Sequence, residues 1–385
     1  MNIVLVSPNF PPNYYHFATA LRRLEANVLG LGDAPYHELR PELRAALTEY
    51  YKVDNLSNYE QLVRACGYLT HRYGKLERLE SHNEYWLETD ARLREDFNIP
   101  GPRPVHLDVL KRKSRMKRVY QRAGGDAARG KLVRTLRMAQ DFAAEVGYPL
   151  IAKPDVGVGA ANTFKVNNDA ELQRFFEIKP PVAYFLEEFV QGELYSFDGL
   201  ADQEGEAVFF TAHHFNRGIM DVVNEDLDMY YYSLREIPED LYAAGMRALR
   251  AFDVRERFFH IEFFRTPERL LLLEINMRPP GGLTLDMFNY ANDIDVYQGW
   301  AEMVLFGKFS MSYSRPYHCA YIGRKWRRPY RLDFDAVLQR YGSLIVQHEP
   351  ISPVLAPAIG EYGYVLRSPE LPVLQEAIEA ILALR

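Results

Sequence analysis

The chain has 385 residues, 48% of them hydrophobic and 25% charged, enough length for two or three domains and enough apolar content for well-formed cores. A net charge of −6 and an isoelectric point near 6.0 leave no basic footprint for nucleic acid, and no apolar run approaches the roughly 18 residues that a membrane helix needs. Cys66 and Cys319 are the only cysteines and neither has metal-ligand spacing, so a cytoplasmic location is expected and neither a disulfide framework nor a zinc site is indicated.

In chain order, Met1–Phe10 lacks the basic start of a secretory leader, and its Ile3–Val6 core reads as a strand. A helix over Tyr15–Leu24, a strand over Asn27–Leu31, and helices over Pro41–Tyr51, Tyr59–Tyr73 and Asn83–Phe97 follow. This alternation argues for an open βαβ sheet. The turn after the first strand, Ser7–Asn13, is not a Gly-rich phosphate loop, which argues against a nicotinamide or flavin dinucleotide there. Ser7–Asn13 and Glu80–Asn83 still fall where an open sheet takes its ligands; plain connections are the alternative.

Beyond the Ile99–Pro102 breaker, the basic run Lys111–Arg118 leads into a helix, ordinarily a solvated face. A helix over Ala139–Val146 precedes a strand over Tyr148–Lys153, which opens into a loop containing Gly157 and Gly159. Glycines there let backbone amides surround an anion, with Lys153 adding a point charge. Tyr184–Glu193 reads as an apolar strand entering a polar hinge, whose backbone at Glu187, Glu188, Phe189 and Val190 could meet a purine edge, with Glu193 near a ribose. Thr211–Arg217 and Met229–Ser233 read as an aromatic strand pair. A helix over Pro238–Val254 comes next. The tail ends in a strand over Gly360–Arg367 and a helix over Leu371–Leu384.

The most informative stretch is Phe259–Gly282, two apolar strands around a Thr266–Arg269 turn. Glu274, Asn276 and Arg278 share one strand face because alternate residues point the same way. Glu262 lies as far before Glu268 as Glu274 lies after it, so an odd-length loop places the two carboxylates opposite each other. Two carboxylates and an amide oxygen form a hard-oxygen set suited to Mg²⁺, and an arginine beside them can hold a phosphoryl group. For any one of these residues alone, an ordinary charge on a solvent-facing strand is the competing reading.

Taken in order, Lys113, the Ile151-Ala152-Lys153-Pro154 strand with its glycine loop, the Glu187–Gly192 hinge and the Glu262…Glu274-x-Asn276-x-Arg278 hairpin resemble the ATP-grasp superfamily of carboxylate-amine ligases over about residues 1–310. The resemblance implies an α/β (α+β) ATP-grasp fold with an N-terminal open βαβ domain at 1–105, a mobile lid subdomain at 106–192, a catalytic subdomain at 193–310, and a C-terminal α/β subdomain at 311–385. It makes Lys113 and Lys153 phosphate contacts, puts adenine against Glu187–Val190, gives Glu262, Glu274 and Asn276 to two Mg²⁺ ions, with Mn²⁺ as an alternative, and sets Arg278 on the transferring phosphoryl group. Relatives usually carry a ribose-binding glutamate where this chain has Leu194, with Glu193 one position early. The resemblance puts acceptor-pocket residues at Thr211–Arg217 and Met229–Ser233, with His214 and Arg217 as carboxylate contacts, and amides near Gly281 and Gly282 would then face the oxyanion.

The implied chemistry is ATP-dependent joining of a small-molecule carboxylate to an amine through an acyl phosphate, releasing ADP and phosphate, with a dipeptide among the candidate products. A small-molecule kinase and a non-catalytic ATP-binding regulator are the alternatives. The expected partners are the two small substrates, with neither nucleic acid nor membrane, and a homodimer as an assembly open to the chain.

Overall fold

The computed structural model describes residues 1–157 and 162–385. Its N-terminal sheet holds β1 (Asn2–Val6), β2 (Asn27–Gly32), β3 (Glu49–Lys52) and β4 (Arg78–Glu80), all parallel, in the order β3-β2-β1-β4. The chain reverses direction across this sheet between β1 and β4, and an open α/β sheet forms its crevice at the carboxyl ends of such strands. The Ser7–Asn13 and Ser81–Glu84 connections leave those two ends. Two expectations change here. The helix expected over Pro41–Tyr51 ends at Ala46, and Glu49–Lys52 pairs with β2 instead, since Tyr50 and Tyr51 fit a pleated surface better than a helix end. Glu80, read as the start of the Glu80–Asn83 loop, instead ends the short edge strand β4.

A second sheet contains β5 (Gly130–Val133), β6 (Leu150–Pro154), β7 (Phe164–Val166) and β8 (Tyr184–Glu188), in the antiparallel order β5-β8-β6-β7. Helices Leu136–Val146 and Asp169–Ile178 cover it through Phe142, Leu172 and Phe175. The expected glycine lid falls partly on 158–161, outside the described residues, and so does Gly159.

The third sheet has eight strands: β9 (Glu193–Ala201), β10 (Ala207–Phe215), β11 (Tyr230–Ser233), β12 (Arg257–Arg265), β13 (Leu270–Asn276), β14 (His318–Arg324), β15 (Ile345–Pro350) and β16 (Tyr362–Ser368). Their order is β13-β12-β9-β10-β11-β14-β16-β15. The sheet therefore runs straight through the expected boundary at 310/311, because β14 pairs with β11. Helix Lys113–Arg122, expected in the lid, packs Met116 and Tyr120 into the core behind this sheet with Phe197, Ile261, Phe263 and Ile275. That packing follows from its amphipathic spacing, with Met116 and Tyr120 one turn apart. Among the described residues no helix is long and apolar enough to cross a membrane.

Candidate functional site

The segment read as an apolar strand entering a polar hinge over Tyr184–Glu193 has that form: β8 ends at Glu188, and through Phe189–Gly192 the chain passes from the second sheet to the third. Gly192 is required at that passage, since a Cβ there would lie 2.5 Å from the Arg265 carbonyl oxygen. Between the two sheets lies a cavity of about 500 Å³ lined by Lys113, Lys117, Lys153, the hinge Glu187–Leu194, Glu262 and Glu274.

Each wall is built by identifiable contacts. Lys113 opens its helix beside Asp155, a nearly fully buried carboxylate. The Ser114 amide donates to Asp155 Oδ1 at 2.8 Å and the Lys113 amide to the Asp155 carbonyl at 2.9 Å. An acid at a helix start satisfies amides that have no partner inside the helix. Lys113 Nζ then lies 3.1 Å from Glu274 Oε1 and donates to the Gly157 carbonyl at 3.1 Å. Lys117 and Lys153 both pair with the buried Glu187 carboxylate. Burial pushes the Lys153 ammonium down to about 8, helped by Lys113 and opposed by Glu274 and Glu262. Lys117 is driven well below the lysine range by burial and then by Lys153.

In the hinge, Glu188 is held by Arg129, which donates from its amide at 2.8 Å and from Nε at 2.6 Å. The Glu188 and Phe189 amides bond the carbonyls of Arg129 and Pro149, and the Lys165 ammonium sits 4.2 Å from the centre of the Phe189 ring. Leu194, 3% exposed, lies on the face that carries the metal-candidate residues. Glu193 alternates to the opposite face, where its carboxylate accepts from the Tyr195 hydroxyl at 2.9 Å. It reaches only the cavity rim, and the ribose contact expected of its side chain has no support in this geometry.

The third-sheet wall has the expected register. Glu262 stands directly opposite Glu274, and His260 opposite Asn276. The route differs from expectation: the turn closes as an even register, with the Thr266 amide donating to the Arg269 carbonyl at 2.9 Å. A bulge leaves Leu273 unpaired and restores the odd spacing. Burial works to raise the Glu274 carboxyl, but Lys113 and Lys153 together hold it below the usual range. Glu262 is raised, by burial and then by Glu274. No group of three or more His, Cys, Asp or Glu side chains suited to a metal occurs among the described residues. The donor set here is instead two facing carboxylates and the Asn276 amide, hard oxygens that fit Mg²⁺.

Arg278 follows on the same side. Its Nε donates to Glu84 Oε2 at 3.1 Å and its Nη1 to the Pro279 carbonyl at 2.8 Å. Glu84 comes from the end of β4, so the N-terminal crevice and the metal-candidate wall meet at this pair. Beside it, Gly281 and Gly282 use their carbonyls to accept from the Thr284 hydroxyl (2.8 Å) and Asn13 Nδ2 (3.3 Å). Gly282 adopts φ +64°, a conformation glycine takes without strain.

His214 and Arg217 both line the cavity, but they differ. Arg217 is exposed at the mouth. The His214 ring lies against Tyr195 and Tyr232 on the sheet face away from Glu262, at centroid distances of 4.8 and 5.2 Å. Its neighbour His213 occupies the site face. Lys117, which the sequence offered with Lys111 as a substitute for Lys113, lines the cavity beside it; Glu84, Asp155, Asp198 and His260 were missed, and of these only His260 had a signal, its H-x-E spacing to Glu262.

A nucleotide-sized cavity between two antiparallel sheets, with lysines on one wall and facing carboxylates on the other, defines the ATP-grasp fold. Residues 146–286 match the family model described as ATP-grasp domain, and the chain has that fold. The structure resembles an L-amino acid ligase from Bacillus licheniformis (TM-score 0.74, 13% identity, 99% of this chain and 96% of that one). It also resembles the biotin carboxylase domain of the Hydrogenobacter thermophilus 2-oxoglutarate carboxylase, solved as a dimer with MgADP, ADP and bicarbonate (0.72, 17%, 99% and 89%). N5-carboxyaminoimidazole ribonucleotide synthetase from Thermus thermophilus is a third likeness (0.73, 18%, 98% and 97%). Among curated sequences, an uncharacterized Sinorhizobium fredii protein is 24% identical over 306 residues, covering 76% of this chain and 61% of its own. The arginine-specific carbamoyl phosphate synthase large chain of Bacillus subtilis is 27% identical over 118 residues, 29% of this chain and 11% of its own. The chain thus spans less than two thirds of either curated relative.

Proposed function

We propose that this protein is an ATP-dependent, ADP-forming ligase that activates a small-molecule carboxylate and joins it to an amine. The observation that carries the reading is the register placing Glu262 against Glu274 on the face approached by Lys113 and Lys153. Facing carboxylates repel, and a site that keeps them together beside lysines is organised for a cation and a polyphosphate.

In this reading the hinge Glu187–Val190 takes the purine, and Lys113, Lys117 and Lys153 neutralise the phosphates. Glu262, Glu274 and Asn276 hold Mg²⁺, which when bound offsets phosphate charge. The substrate carboxylate oxygen attacks the γ-phosphorus and ADP leaves. Arg278, held in orientation by Glu84, faces the transferring group. The amine nitrogen then attacks the acyl carbon, phosphate departs, and the nitrogen loses a proton. Such chemistry needs positioning and charge neutralisation rather than a protein nucleophile. The Arg278 side of the cleft, between Gly281-Gly282 and the β1 and β4 loops, is the proposed place of the carboxylate and amine. Arg217 at the cavity mouth is a proposed substrate contact, and a cytoplasmic homodimer is the proposed setting.

A screen of pooled amino acids and small carboxylates with MgATP, read by coupled ADP release, tests this. ADP and phosphate are expected only when carboxylate and amine are both present. AMP and pyrophosphate would contradict the mechanism, and a stable phosphorylated product formed without amine would make the protein a kinase.

A further inference from the structure

On the same sheet face as the metal-candidate residues, three strands carry a buried polar row. His260 pairs with Asn276 on one side and Asp198 on the other, while Glu262 pairs with Glu274 and Ser196. Ser196 in turn faces His213. Asp198 and His213 have no solvent exposure. Asp198 Oδ1 lies 2.5 Å from His260 Nδ1, and its Oδ2 lies 2.7 Å from His213 Nδ1 while also accepting from the Ser196 hydroxyl. A carboxylate this deep is costly unless its acceptor positions are filled. Here three donors from two neighbouring strands and its own strand fill them, and the His260 ring cannot turn without uncovering that charge.

The fixed ring has a second nitrogen. His260 Nε2 lies 3.8 Å from Glu262 Oε1, whereas Glu274 is steadied separately by Lys113. Of the two facing carboxylates, Glu262 has within ion-pair distance a histidine whose orientation is set by Asp198 on the same sheet face.

We infer that Asp198 and His260 are positioning residues for Glu262: the Asp198-anchored ring keeps the Glu262 carboxylate turned toward Glu274 and Asn276, presenting it to a divalent cation. A carboxylate–histidine pair supporting a ligand from behind commonly governs metal affinity by about 10–100-fold. This inference rests on the proposal that Glu262 is a cation ligand.

The test uses the full chain, with Mn²⁺ binding in the presence of ADP read by electron paramagnetic resonance. ADP binding in chelator and thermal midpoints are measured in parallel. His260→Asn keeps a donor for Asp198 and removes the nitrogen facing Glu262; His260→Gln places an amide near the Nε2 position. His260→Asn is expected to weaken Mn²⁺ binding about tenfold while chelator-phase ADP binding stays at the wild-type value. His260→Gln is expected to recover most of the loss. Wild-type Mn²⁺ affinity in His260→Asn overturns the inference. So does a His260→Gln variant as weak as His260→Asn, including the case in which His260→Asn fails to fold and His260→Gln falls about tenfold below wild type. Absence of Mn²⁺ binding by the wild-type protein would instead remove the cation-ligand reading on which the inference stands.

Discussion

Glu262 and Glu274 face each other across β12 and β13 because one residue, Leu273, bulges out of the ladder between an even turn and the paired carboxylates. Their surroundings are unequal: Glu274 has the Lys113 ammonium at 3.1 Å, while Glu262 has the His260 imidazole at 3.8 Å. The two isosteric neutralisations should therefore differ in sign. Glu262→Gln removes a like-charge contact and should raise the metal-free protein's stability by about 0.5 kcal/mol. Glu274→Gln strands buried lysines and should lower it by about 2 kcal/mol. Chemical denaturation in chelator measures both, and both variants should lose metal-dependent ADP formation.

Arg278 should matter to turnover more than to nucleotide binding. It is tied to Glu84 from the N-terminal crevice, away from the cavity-lining lysines. Arg278→Ala is expected to lower kcat by about 10²–10³-fold with a much smaller change in ADP affinity. Glu84→Gln should give a smaller loss in the same direction, since the guanidinium remains but its orientation is released. Equal losses in ADP affinity and kcat would place Arg278 among the nucleotide contacts instead.

Glu193 and His214 supply the opposite kind of prediction. The Glu193 carboxylate and the His214 imidazole lie on the sheet face away from Glu262. Glu193→Ala should leave ATP affinity within about twofold of wild type, since its carboxylate is engaged by Tyr195 at the cavity rim and changes at such exposed positions have small effects. His214→Ala should leave substrate KM similarly unmoved. A large loss in either variant, measured by calorimetry and steady-state kinetics, would show that these side chains touch a bound ligand.

Lys153 sets a pH dependence. Burial pushes its folded-state pKa down to about 8 from the ordinary lysine value of 10.5, so between those values the unfolded chain binds more protons and stability rises with pH. The burial penalty on the ammonium is complete below about 8. Anionic phosphates favour the ammonium, so nucleotide binding should take up a proton above that pH and weaken about tenfold by pH 9. Calorimetry in two buffers of different ionisation enthalpy checks the uptake. Affinity and proton count that stay constant from pH 7 to 9 would contradict it.

Much of this was legible in sequence because strand parity is local. Glu274, Asn276 and Arg278 share a face whatever the rest of the chain does, and the order of lysine, hinge and hairpin carries the ATP-grasp pattern. What sequence could not place was pairing across distance. Asp198 becomes informative only when β9 lies beside β12 and brings it to His260. Glu84 acquires its meaning from an arginine 194 residues away. The face taken by His214 depends on the β9–β10 register, and the Leu273 bulge has no local mark such as glycine. The boundary expected at 311 failed for the same reason: no strand was read at β14, and its membership in the main sheet is a long-range fact.

The most direct test of the ligase account follows the oxygen. With the carboxylate substrate found by the screen and labelled with ¹⁸O, mass analysis of the released phosphate should show one ¹⁸O per turnover, carried over when the acyl phosphate is broken by the amine. Unlabelled phosphate, or AMP and pyrophosphate as products, would contradict carboxylate activation at the Glu262–Glu274 site.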